Sequence, residues 1–340
     1  MIEQIRLEQA QALDAFVQAH PRGHFMQSSL WGRVKQGWPW TAFLLQDERT
    51  GEIRGSLALL RHDLRHLPGC CFFYAPRGPI CDDAASFRAL VEAAAGYARA
   101  HGAYLLRIDP EISETDTGFA ALAAKMGFHI NQAQDFSLFQ PRLCYLSDLR
   151  GKDAQSLQAG YRRSTRSNIR KALRGPLTVR RGDRDDLPAF CRMMAKTGAK
   201  NGFTPRPRSY FQALLDGLGA HARLYLAELS GRPVAAAISV IYARTCSFCY
   251  GCSEEAGDKL HANELLQWEM QNEAIALGCE RFDFRGVEGP PEESNPHYGL
   301  HRYKQGFGAA FTAWIGQLDL PLRPLLYTLV EHLAVHRFHF

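Results

Sequence analysis

The sequence predicts an α/β (α+β) fold of two tandem domains, each built on a mixed, largely antiparallel sheet. Three observations carry this expectation. The chain has 340 residues, more than one hydrophobic core usually organises. Hydrophobic residues make up 46% and charged residues 22%, and no Gly/Ser or Pro tract interrupts them, so ordinary globular packing is expected throughout. The third observation is that two segments read alike, element for element.

In the first half, apolar runs at 41–46 and 56–60 flank a Thr50-Gly51 turn; in the second, runs at 223–228 and 234–241 flank Ser230-Gly231. Each pair is an expected hairpin. A further strand follows each hairpin, at 70–74 and 246–250. Next comes a helical pattern that closes on glycine, Ala98-Arg99-Ala100-His101-Gly102 in one half and Ala274-Ile275-Ala276-Leu277-Gly278 in the other. A short strand then follows, at 104–109 and 281–285. The same order of elements with matching Ala-x-Ala-x-Gly helix ends argues for a duplicated unit rather than a chance likeness.

The predicted boundaries are 1–145 for the first domain and 146–316 for the second, with the switch near 141–148. Residues 317–340 are predicted as a terminal helix that packs back on the first domain. Leu322, Leu325, Leu326, Leu329 and Leu333 fall there at helical spacing, with Glu331, His332 and His336 between them. A Leu stripe of this kind suits packing on its own protein; a membrane surface is the alternative partner.

Charges at Glu3, Arg6, Glu8 and Asp14 break up the N-terminus, which therefore lacks the apolar core of a secretory signal. No run elsewhere has the length of a membrane span. Nine cysteines, an odd number scattered along a long chain, point to reduced thiols, and the expected compartment is the cytoplasm. Cys246, Cys249 and Cys252 form a C-x-x-C-x-x-C string, but on a strand a spacing of three sends side chains to alternate faces, so no iron–sulfur site is expected. The thirteen histidines show no ligand-pair spacing either, and no metal is predicted.

Net charge is only +5, yet between Arg150 and Arg181 ten basic residues face Asp153 alone, a local +9 that leaves −4 for the rest of the chain. Such asymmetry suits a polyanionic partner.

Several strings, read in order, resemble the FemABX family of peptidoglycan-bridge aminoacyltransferases. In the first half these are 27–35 (QSSLWGRVK), 74–79 (YAPRGP), 107–111 (RIDPE) and 140–142 (QPR). The second half adds 203–210 (FTPRPRSY), 250–253 (YGCS), 282–286 (FDFRG) and 299–308 (GLHRYKQGFG). Each is weak alone; eight in the family's order are specific. The resemblance implies two GNAT-like domains, in agreement with the duplication, and the short FemX-like form fits better, because no long heptad-patterned helical hairpin interrupts the second half. It also implies an aminoacyl-tRNA-dependent transfer onto the stem-peptide amine of a peptidoglycan precursor, either UDP-MurNAc-pentapeptide or lipid II, by a monomer that uses no cofactor beyond aminoacyl-tRNA as co-substrate and acts in the cytoplasm or at the inner face of the membrane.

By the same resemblance, Lys35, beside Trp38, helps bind the precursor's diphosphate, a task suited to a compact charge on a flexible stem. Arg206 is assigned to the same diphosphate. Its flanking prolines, Pro205 and Pro207, hold the backbone extended and give a guanidinium fork a rigid mount. Thr204, Tyr210 and Tyr250 complete the substrate-binding set. Asp109 is expected to face the acceptor amine, either orienting it or accepting its proton; as an Asp-Pro pair it also reads as a plain strand end. Lys304 is expected near the ester, where a fixed cation would stabilise the oxyanion that forms as the amine attacks. A lysine lying over Tyr303 and Phe307 is the structural alternative.

Within the basic region, Ile169 and Leu173 stand four apart and leave Arg162, Arg163, Arg166, Arg170, Lys171 and Arg174 on the remaining surface. Six cations without an acid repel one another unless an anion answers them, and the tRNA acceptor stem supplies phosphates. Three other readings compete. A GNAT-type acyl-CoA N-acyltransferase would want a glycine-rich turn where this chain has 257–263 (GDKLHAN). A non-catalytic tRNA- or envelope-binding protein would not need Lys35, Asp109, Arg206 and Lys304 together. A lipid aminoacyltransferase would normally carry membrane spans.

Overall fold

A computed structural model describes residues 1–64 and 67–335. The first half runs β1 (Ile2–Ile5), α1 (Gln11–Ala19), α2 (Ser29–Val34), β2 (Trp40–Gln46), β3 (Ile53–Asp63), β4 (Cys71–Ala75), β5 (Ile80–Cys81), α3 (Ala84–Ala100), β6 (Ala103–Ile108), α4 (Thr117–Lys125) and β7 (His129–Asn131). The second continues with β8 (Leu143–Asp148), α5 (Ala154–Ala159), α6 (Arg163–Arg174), β9 (Leu177–Gly182), α7 (Leu187–Asn201), α8 (Arg208–Leu218), β10 (Ala222–Leu229), β11 (Arg232–Tyr242), β12 (Thr245–Ser253), α9 (Glu255–Lys259), α10 (Ala262–Ala276), β13 (Arg281–Gly286), α11 (Tyr298–Gly306) and β14 (Ala310–Ala313). The chain ends with β15 (Gln317–Pro321) and α12 (Pro324–Val335).

Two compact units result, 1–143 with 313–340 and 144–312. Both sheets are mixed and largely antiparallel. In the first unit the order is β1-β2-β3-β4-β6-β15-β7, with β5 added beside β3; in the second it is β9-β10-β11-β12-β13-β8-β14. Three antiparallel pairings lead in each to one parallel pairing, β4 with β6 and β12 with β13. The duplication therefore extends to strand order and direction. The sixth strand of each sheet, β15 or β8, directly follows in sequence the elements of the other half.

The matching helices show why the repeated motif recurs. α3 buries Phe87, Leu90, Val91, Ala94, Ala95 and Ala98 against its sheet, and Asp83 caps its start by accepting from the Ser86 N–H at 2.7 Å. Gly102 and Gly278 follow the two helices with φ of 78° and 75°, the left-handed turn that closes a helix end and that glycine adopts at least cost.

The terminal expectation needs correction. Of 317–340, the first part is not helix: Gln317–Pro321 is a strand pairing with β6 and β7, and only Pro324–Val335 is helical. Pro321 and Pro324 disfavour a helix running through that stretch. Residues 336–340, with His336, lie outside the described residues. α12 packs Leu326, Tyr327 and Val330 against Phe72, Tyr74 and Tyr104 of the first sheet.

Candidate active-site residues

In the first unit, Lys35 follows the last turn of α2. Its Nζ lies 5.3 Å from the Trp31 ring centre and 5.6 Å from that of Trp38. The Trp38 ring in turn lies 4.2 Å from that of His62, tilted by 30°, and meets Phe72 edge-on. Two indole faces thus hold one ammonium by cation–π attraction while it stays half-buried.

Asp109 follows β6 and is only 3% exposed. Both its carboxylate oxygens accept buried donors: the Tyr74 hydroxyl at 2.5 Å and the Arg77 backbone N–H at 2.6 Å. Burial and the Asp109 charge hold the Tyr74 phenol far above its usual range, so it remains a donor. Arg77 has a left-handed backbone (φ 58°) and donates its guanidinium to Pro141 O, with the buried Glu111 carboxylate 3.8 Å away. Asp109 therefore fixes a strained turn.

In the second unit, Thr204 and Arg206 sit on the exposed 203–207 loop, whose Pro207 begins α8 with φ −67°. Arg206 lies over the Tyr210 ring at 5.7 Å, and Tyr250 donates its hydroxyl to that of Tyr210 at 3.0 Å. Burial raises both phenols, so both stay protonated. The structure thus brings Arg206, Tyr210 and Tyr250 into one ladder.

Lys304, on α11, is 4% exposed. Its Nζ donates to the carbonyls of Arg285 at 2.9 Å and Gly286 at 2.7 Å. Burial lowers its pKa to about 7, partly opposed by the Asp283 carboxylate. The two carbonyls converge because Arg285 takes a left-handed conformation (φ 61°), pinned by its N–H to Asp283 Oδ1 at 2.6 Å. Here the two units differ. β12 pairs with β13 only from Thr245 to Ser247 and then runs on to Ser253, so the two strands part beside Arg285; β4 and β6 stay paired from Cys71 to Ala75. A cavity of about 340 Å³, lined by Phe248, Ser253, Asn263, Gln267 and Tyr303 among others, lies along β12.

Sequence reasoning did not single out Tyr74, Arg77, Asp283 or Arg285, although all four lie in the quoted strings. Their roles depend on left-handed backbone angles that no side-chain spacing reveals. At Cys249 the β12 ladder bulges, its partner register jumping from Phe248 to Tyr250, so simple alternation across the cysteine string fails. Among the described residues no group of three or more His, Cys, Asp or Glu is placed to hold a metal ion.

The basic segment is narrower than its charge count. Arg180 pairs with Asp186 and Glu228, Arg181 with Glu273, and Arg150 with Asp148. On α6 the buried face is Thr165, Ile169 and Ala172, and Leu173 is 52% exposed, so the expected Ile169–Leu173 face is wrong by one position. Arg166 donates to the carbonyls of Ala159 and Tyr161. Arg162 donates its backbone N–H to Gly306 O and its guanidinium to Gln305 Oε1, both at 2.8 Å. Arg163, Arg170, Lys171 and Arg174 are exposed and make no ion pair among the described residues.

The chain matches the model of the FemAB family over residues 9–231 and that of the acetyltransferase (GNAT) domain over residues 159–305. It is 26% identical over 393 positions to the lipid II:glycine glycyltransferase of Staphylococcus haemolyticus, covering 94% of this chain and 93% of that protein. The Staphylococcus aureus enzyme of the same name is 27% identical over 395 positions, with the same shares covered. A crystal structure of FemX shares the fold with a TM-score of 0.87 at 24% identity, over 97% of this chain and 100% of that one.

Proposed function

The chain belongs to the FemAB family, and from that premise we propose that it transfers an aminoacyl group from aminoacyl-tRNA to the stem-peptide amine of a peptidoglycan precursor, extending an interpeptide bridge. Relatives named for glycyl transfer to lipid II support the acceptor. One observation supports the chemistry: a protonated Lys304 has three N–H donors, and two are committed to the carbonyls of Arg285 and Gly286. Among the described residues no third acceptor meets it, and in this reading the third N–H serves a reacting oxygen.

In this reading the acceptor amine attacks the ester carbonyl, the C–N bond forms and the carbonyl oxygen becomes an oxyanion that Lys304 stabilises. Collapse breaks the C–O bond, and the proton lost by the amine ends on the ribose oxygen that leaves. The ester is already activated, so positioning suffices and no cofactor or covalent intermediate is called for. Lys35 and Arg206 bind the precursor's diphosphate, with Thr204, Trp38, Tyr210 and Tyr250 shaping the surroundings. Asp109 acts through the turn it holds, because its oxygens already serve Tyr74 and Arg77. The exposed cations of α6 bind the tRNA, and the protein works as a monomer at the cytoplasmic face of the membrane. No helix among the described residues is long and apolar enough to cross one.

The GNAT-domain match favours acyl-CoA as a second donor to test. Against it, the turn before α10 presents His261, left-handed at φ 60°, where a glycine would leave amides open to a pyrophosphate. The deciding experiment incubates the protein with a charged tRNA pool, or with acetyl-CoA, and either the nucleotide-linked or the lipid-linked precursor. Mass spectrometry should show the precursor gaining one aminoacyl residue only with charged tRNA. Acetyl transfer, or no transfer with any pair, would overturn the proposal.

A further inference from the structure

α12 is fastened from its inner side. Leu326, Tyr327 and Val330 enter the aromatic cluster of the first sheet. Tyr327 donates its hydroxyl to Asp319 Oδ2 at 3.2 Å, and Glu331, the only acid of the helix, accepts from Tyr104 at 3.3 Å and from Arg107 at 3.4 Å. These contacts account for the helix being there. They leave its outer face unexplained, since Leu325 is 90% exposed and Leu329, one turn on, is 55% exposed. With Glu331 turned inward, that face carries no acid, and the exposed Arg323 stands at its foot.

Exposed leucines beside an exposed arginine, on a face without acids, are the chemistry of a surface that lies on anionic lipid. The cluster that α12 covers also contains Trp38, whose ring holds Lys35. The tryptophan that holds Lys35 and the inner face of α12 therefore pack on one aromatic cluster of the first unit. We infer that the outer face of α12 rests on an anionic phospholipid bilayer and brings the first unit to a lipid-borne acceptor. This rests on the reading of the acceptor as a peptidoglycan precursor, and specifically on its lipid-linked form.

Flotation with phosphatidylglycerol-containing vesicles tests it, with phosphatidylcholine vesicles as reference. The protein should float with the anionic vesicles and be released by salt. Leu325→Ser with Leu329→Ser should lower the bound fraction at least tenfold, whereas Leu325→Trp with Leu329→Trp should keep it and blue-shift the new tryptophan emission. The Ser variant should also show roughly a tenfold higher KM for lipid-linked precursor in vesicles, with the soluble precursor unaffected. Equal vesicle binding by wild type and Ser variant overturns the inference, as does a wild-type dimer in light scattering that the Ser variant abolishes, which would make a second copy the occupant. Vesicle binding that the Ser variant loses, with no transfer to any precursor, would leave the lipid face standing and remove the proposed function. Transfer to lipid-linked precursor at equal KM in both forms would do the reverse.

Discussion

An ammonium sealed from water loses its solvation, and Lys304 titrates near 7 instead of 10.5 for that reason. Two consequences have opposite signs. For catalysis, the cation is needed, so the rate should fall as pH rises through about 7, while the acceptor amine must lose its proton and gains with pH. A bell-shaped kcat/KM profile results. Lys304→Met should remove the alkaline limb and lower kcat on the order of a hundredfold or more, which single-turnover rates at saturating substrates would read. For stability, the unfolded chain holds more protons than the folded one between about 7 and 10.5, so stability should rise with pH across that window. Melting temperatures of Lys304→Met should show a flatter rise. Lys35→Ala and Arg206→Ala should instead raise the KM for the precursor with little change in kcat, and should have no effect on an acceptor fragment lacking the diphosphate. At this scale the sequence made the mounts visible: prolines around Arg206, indoles around Lys35. It did not show Arg285, whose carbonyl matters more here than its guanidinium.

At the scale of elements, α6 and α11 behave as a pair. Gly306 lets α6 approach closely, since a Cβ there would lie 2.5 Å from Thr165 Oγ1. Arg162 ties to Gln305, Gln305 donates to the Tyr145 hydroxyl at 3.1 Å, and Tyr145 lies 3.0 Å from His301 Nδ1. His301 and Gln305 flank Lys304 on one helix, so this chain sets the helix that presents the cation. Arg162→Ala or Gln305→Ala should therefore lower kcat at saturating aminoacyl-tRNA and leave the salt dependence alone. Arg163→Ala, Arg170→Ala and Arg174→Ala should raise the KM for the tRNA, each lowering the slope against log salt by about one. Equal salt slopes in the two sets would merge their roles. The helix itself was legible from its charges and apolar spacing, but which arginines are spent internally was not, because their partners lie about 140 residues away or on backbone carbonyls. β15 was missed because the helical Leu spacing that starts at Leu322 was extended back to residue 317, although Leu318 and Leu320 alternate as a strand does and five residues are too few to set that period apart.

At the scale of the whole molecule, duplication was readable from repeated element order, but the exchange of sixth strands was not, since periodicity says nothing of which sheet a strand enters. The exchange makes one unit continuous, 144–312, and the other discontinuous. β15 supplies Asp319, which accepts both ends of the buried Arg107 guanidinium at 2.7 and 2.6 Å. A fragment 1–143 would keep Arg107 in the core and lose this partner together with a central strand between β6 and β7. Stranding one charge of such a pair costs about 3–5 kcal/mol, a large share of the roughly 5–15 kcal/mol that holds a domain folded. The fragment should therefore lack a cooperative melt. Joining 1–143 to 313–340 through a short Gly-Ser linker should restore it, because Trp314 N–H already bonds Arg142 O at 2.8 Å and the two ends are adjacent. Adding Asp319→Ala to the joined form should remove most of the gain. Circular dichroism melts of the three forms decide the matter, and a cooperative transition in 1–143 alone would show that β15 is dispensable to the sheet it completes.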